Sequence, residues 1–168
     1  IQRYVRLGKT ELKVSDISFG SASSFDASLV RHALARGVNY FDTAESYGRG
    51  KSEEFLGQAL GSRRSEVLVA SKWGHDMSLA DGERGGDPAQ VRARLEASLK
   101  RLGTDYIDHY QLHRPDPETP QEETLGCLAE LQAEGKIREI GCTHFSSAEL
   151  DDAVRAGQPL ARLASPEL

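Results

Sequence analysis

The sequence predicts an α/β fold: a parallel sheet of about five βα units behind a short N-terminal β-hairpin. Three observations carry this. Short apolar runs alternate with amphipathic stretches, each stretch opens on a capping residue, and each is closed by a glycine. Strand, helix, strand, helix is the pattern of right-handed βαβ crossovers.

The hairpin comes first, with residues 4–7 and 11–14 flanking Gly8-Lys9. Strand-like runs follow at residues 17–20, 39–43, 67–71, 106–113 and 137–142. The helices are predicted from their ends. Asp26 opens the first, before Leu29, Val30, Ala33 and Leu34, and Gly37 closes it. Ser52 is the expected cap of the second, which carries Phe55, Leu56, Ala59 and Leu60 and ends at Gly61. Asp87-Pro88-Ala89-Gln90 reads as a capping box with proline at the first helical position, and Gly103 ends that helix. Thr119-Pro120-Gln121-Glu122 and Ser146-Ser147-Ala148-Glu149 repeat the device, with Gly135 and Gly157 after them. The acidic pairs Glu53-Glu54, Glu122-Glu123 and Asp151-Asp152 fall near helix starts and are expected to be dipole-favoured and solvated. Residues 73–86 form a long polar loop, and residues 160–168 have the character of a sixth strand just begun. The 168 residues suit a single domain, residues 1–168, without an interdomain linker.

Composition excludes several functions. A net charge of −5 argues against nucleic-acid binding, which needs a basic face. No apolar run reaches the roughly 20 residues a membrane helix requires. Cys127 and Cys142 have no metal-type spacing, and His109 with His113 lacks a third ligand, so no metal is expected. Two buried thiols point to a reducing, cytoplasmic setting. The start at Ile1, without methionine, suggests a piece of a longer product or a processed one. Gly48-Arg49-Gly50-Lys51-Ser52 lacks the earlier glycine of a phosphate-binding loop, having Glu45 in its place.

Ligands of parallel α/β folds bind beyond the carboxyl ends of the strands. The sequence puts Gly20 and Ser21 after the first strand, Asp42 and then Tyr47 after the second, Lys72 and Trp73 after the third, His113 after the fourth, and Thr143 and His144 after the fifth. A phenol has a pKa of about 10, and a neighbouring ammonium favours its ionised form. Lys72 would therefore activate Tyr47, Asp42 would hold Lys72 charged, and His113 would bond a carbonyl oxygen. Together they form a general acid for carbonyl reduction.

These motifs resemble the aldo-keto reductase superfamily. The resemblance is carried by Asn39-Tyr40-Phe41-Asp42-Thr43-Ala44-Glu45-Ser46-Tyr47-Gly48, by Ala70-Ser71-Lys72, by Ile107 through Pro115, and by Gly141-Cys142-Thr143-His144-Phe145-Ser146. It implies a (βα)8 TIM-type barrel, here partial, with the hairpin plugging its bottom. It also implies NADPH-dependent reduction of an aldehyde or ketone to an alcohol. Asp42, Tyr47, Lys72 and His113 would be the catalytic residues, with Tyr47 the proton donor. Gly20, Ser21, Asp42, Thr143 and His144 would contact cofactor, and Trp73 would wall the substrate pocket. Thr143 and His144 stand where the family has Ser and Asn. Five units of eight leave a second reading open: a catalytically impaired or non-enzymatic half-barrel. It would serve as a regulatory or scaffolding subunit, or pair with itself through the open barrel edge as a homo-oligomer.

Overall fold

The computed structural model describes residues 1–23, 25–75 and 83–157; the sixth-strand start expected at 160–168 lies outside them. Strands β1 (Tyr4–Arg6) and β2 (Lys13–Ser15) pair antiparallel as the expected hairpin. Strands β3 (Phe19–Gly20), β4 (Tyr40–Asp42), β5 (Leu68–Trp73), β6 (Ile107–Leu112) and β7 (Ile137–Cys142) form one parallel sheet in chain order. Helices α1 (Ala27–Ala35), α2 (Lys51–Leu60), α3 (Pro88–Leu102), α4 (Gln121–Ala133) and α5 (Ser147–Gly157) alternate with the strands, and a 3₁₀ turn, Gly61–Glu66, follows α2. This is the partial (βα)8 barrel that the sequence predicts.

Strand alternation sorts the side chains. Phe41, Val69, Trp73 and Tyr110 face the helices and join Leu56, Leu95, Leu99, Leu128 and Leu131 in one apolar core. Tyr40, Asp42, Lys72, His109 and Gln111 face the lumen and line a cavity of about 890 Å³. The hairpin docks on the amino end of β4: Ser15 N–H donates to Asn39 Oδ1 at 2.7 Å, and Asn39 Nδ2 donates to Lys13 O at 2.8 Å.

Capping follows prediction in three helices. Asp26 accepts from Ser28 N–H, Asp87 from Ala89 and Gln90 N–H, and the Ser146–Glu149 box closes in both directions. Two expectations fail. Ser52 does not cap α2: the residue before Lys51 is Gly50, and Ser52 is buried in a hydroxyl chain. Thr119 turns to Asp116 rather than to α4. Asp116 accepts Thr119 Oγ1, Gly86 N–H and Glu118 N–H together, so it organises this turn in place of the cap.

Glu53 is also not where a solvated surface residue would be. It is fully buried, accepting from Ser71 Oγ at 2.5 Å and from Arg101 Nε at 2.6 Å. Gly50, at φ +86°, makes this possible, because a Cβ there would lie 2.6 Å from Arg101 Cδ. Glu54, Glu122, Glu123, Asp151 and Asp152 are exposed as expected. Both cysteines are free; Cys127 is buried and Cys142 only partly so.

Candidate active site

The carboxyl ends of β4, β5 and β6 bring the four predicted residues together. Lys72 Nζ donates to Asp42 Oδ1 at 2.6 Å, to Thr43 O at 3.0 Å and to Tyr47 OH at 3.3 Å. An ammonium has three donors and no acceptor, so these contacts use all of its hydrogens. Tyr47 oxygen must then accept, which leaves its own O–H free to donate elsewhere. The His113 ring meets Tyr47 edge-on, centroids 5.8 Å apart.

His113 is buried, and burial first, then the charge of Lys72, holds its pKa down to about 4. It is neutral across the physiological range. Ser46 Oγ lies 3.4 Å from its Nδ1. With the Ser46 hydroxyl as donor, Nε2 carries the imidazole hydrogen and can bond a carbonyl oxygen. A second lumen histidine, His109, takes Tyr40 OH on Nδ1 at 2.7 Å and is likewise held near 4, by burial and then Lys72. Burial raises the Tyr40 phenol. Among the described residues no cluster of His, Cys, Asp or Glu suits a metal ion.

Four residues around the tetrad were given no site role by the sequence. Glu45 N–H donates to Lys72 O at 3.1 Å, and its buried carboxylate accepts Gly74 N–H at 3.1 Å. It thus straps the Tyr47 loop to the end of β5 on both sides of Trp73, at Lys72 and at Gly74. Ser46 supplies the contact on His113. The Glu53–Arg101 pair anchors α2 and α3 behind Ser71, next to Lys72. The one available signal was two carboxylates, Glu45 and Glu53, within eleven residues of Asp42.

The expected cofactor residues divide. Gly20, Asp42, Thr143 and His144 line the cavity, and a Cβ at Gly20 would meet nothing within 4 Å. Ser21 does not present its hydroxyl there. It is fully buried and ends a chain in which Thr43 donates to Ser52, Ser52 to Ser21 O, and Ser21 to Asp42 O. Thr143 Oγ1 donates to His113 O at 2.7 Å, while His144 Nδ1 lies 3.0 Å from both that carbonyl and Thr143 Oγ1. A carbonyl oxygen can only accept, so the contact with His113 O puts a hydrogen on Nδ1 of His144.

Trp73 is corrected. It follows the inward Lys72 and so points outward, fully buried, stacked on Tyr110 with centroids 4.4 Å apart. Its indole N–H donates to Gly85 O at 2.8 Å, pinning the return of the loop after β5. It packs in the apolar core and, among the described residues, does not line the cavity.

A lysine joined to Asp and Tyr, with a neutral His alongside, thus stands at the carboxyl ends of a partial (βα)8 sheet. The chain belongs to the Aldo/keto reductase family, which matches residues 9–163. That family consists of oxidoreductases that generally use NAD(P)H. The chain is 42% identical over 139 residues to aldo-keto reductase YhdN of Bacillus subtilis (strain 168), covering 82% of this chain and 42% of that protein. It is 36% identical to a probable voltage-gated potassium channel subunit beta of Arabidopsis thaliana, covering 94% of this chain and 51% of that one. The holo form of aldo-keto reductase AKR11C1 from Bacillus halodurans superposes with a TM-score of 0.81 at 34% identity, covering 92% of this chain and 54% of that one. The chain therefore spans about half the length of the relatives it matches.

Proposed function

We propose that this chain carries the proton-donating half of an NADPH-dependent aldehyde or ketone reduction, with Tyr47 as the donor. One observation carries the reading: Lys72 spends its three hydrogens on Asp42, Thr43 and Tyr47, which leaves the Tyr47 hydroxyl hydrogen for substrate. Nε2–H of neutral His113 orients the carbonyl oxygen beside that hydroxyl. As negative charge develops on the oxygen, Tyr47 gives up its proton, and the Lys72 ammonium stabilises the phenolate that remains. Asp42 keeps Lys72 aimed throughout.

A reduced nicotinamide, when bound, supplies the hydride. The residues present suit its carboxamide end: Thr143 Oγ1 and the His144 ring bring hydrogen-bonding atoms to the cavity where the amide would lie. The open backbone at Gly20 leaves room beside Asp42. Two free cysteines suit a reducing cytoplasm, and among the described residues no helix is long and apolar enough to cross a membrane.

The likeness to probable potassium channel β subunits supports a second reading, a regulatory or scaffolding role. The outer edges of β3 and β7, which have no strand partner among the described residues, support self-pairing. Titrating NADPH while following its fluorescence, then adding an aromatic aldehyde, separates these. Binding with turnover supports the reductase. Absence of binding at millimolar cofactor favours the regulatory reading, and light scattering detects a dimer.

A further inference from the structure

From Arg63 to Arg155 every arginine but Arg114 has an Asp or Glu partner, while Arg3, Arg6, Arg31, Arg36 and Arg49, like Arg114, have no ion pair among the described residues. Arg114, one residue beyond His113, has no carboxylate partner among the described residues, and its side chain is exposed. The acids nearest to it in sequence are engaged. Asp116 accepts two backbone N–H groups and the Thr119 hydroxyl, and Glu118 pairs with Arg84. Asp42 is taken by Lys72.

The guanidinium is also held in place. Arg114 Nε donates to His75 Nε2 at 3.4 Å. The His75 ring meets His113 edge-on, centroids 4.8 Å apart, and His113 in turn meets Tyr47. Arg114, His75, His113 and Tyr47 thus form a continuous file from the protein surface to the proton donor. The Arg114 charge is felt along it, as one of the positive neighbours that help burial hold the His113 imidazole down. With Nε spent on His75, the four terminal N–H donors remain, and their planar fork matches a carboxylate.

We infer that Arg114, oriented by His75, recognises an anionic carboxylate on the substrate, so that this site prefers aldehydes or ketones bearing a carboxylate a few bonds from the carbonyl. The inference rests on the reductase reading above. It assigns specificity to a residue outside the tetrad.

The test compares 4-formylbenzoate with its methyl ester on the wild-type chain and on Arg114→Gln. The wild type should prefer the carboxylate about tenfold or more in kcat/KM, mainly through KM. Arg114→Gln should lower that ratio about tenfold, and added salt should shrink it in the wild type. An equal ratio in the two proteins overturns the inference. If neither aldehyde is turned over, the reductase reading fails, and binding decides the inference separately. In that case 4-hydroxymethylbenzoate should shift the His75 and His113 ring resonances of the wild type but not of Arg114→Gln. Resonances that stay unmoved in the wild type, or shift equally in both, would overturn it.

Discussion

Strands β6 and β7 have the same length, six residues, but not the same surroundings. Every residue of β6 is buried, between β5 on one side and β7 on the other. β7 pairs with β6 alone among the described residues, and only Ile137 and Ile140 are buried on it. The two strands carry different parts of the site. His113 follows β6 and packs on Tyr47, while Thr143 and His144 follow β7 and hang on the carbonyl of His113. In the proposed mechanism the acid–base chemistry is thus set at the buried centre of the sheet, and the nicotinamide contact at its edge. Substitutions at the centre should act on turnover and global stability, those at the edge on cofactor affinity.

The largest effect expected at the centre is Lys72→Met. It removes the cation that stabilises the Tyr47 phenolate and should slow carbonyl reduction by about 10²-fold or more. A rate within a few-fold of wild type would erase the distinction between centre and edge. Next is Glu53→Ala, which leaves Arg101 without its buried partner. Breaking such a pair costs about 3 kcal/mol, the low end of the range because Arg101 is a quarter exposed. Urea unfolding measures this, and an unchanged midpoint would mean that the pair does not anchor the centre.

Acid sharpens the comparison. His109 and His113 titrate near 4 in the folded chain against 6.5 when unfolded. As pH falls from 6.5 towards 4 the unfolded state gains protons that the folded state does not, so stability is lost across that window. Above pH 6.5 these two groups contribute no slope. Unfolding midpoints that are flat from pH 6.5 to 4 would contradict the assignment. The smallest effect belongs to the edge. Thr143→Val removes the donor to His113 O and should cost about 1 kcal/mol of stability. It should weaken NADPH binding more than it slows the bound complex; a reverse pattern would place Thr143 with the centre.

The sequence made the fold and the tetrad legible because each was written locally. Caps and glycines marked the helices, and strand ends marked the ligand face. What it hid depended on partners far along the chain. Glu53 reads as a solvated helix-start acid until Arg101, 48 residues away, comes to lie on it. Ser52 reads as a cap until Ser21 and Thr43 claim its hydroxyl. Trp73 was decidable from the sequence: if Lys72 points into the lumen, the next residue of a strand must point out.

The most direct measurement is consumption of reduced cofactor with a neutral aromatic aldehyde, wild type against Tyr47→Phe, with circular dichroism on both. The account predicts that the wild type turns over and Tyr47→Phe does not, while the two spectra coincide. Equal turnover by the two proteins would show that the proton comes from somewhere other than Tyr47, and the site as described would be wrong.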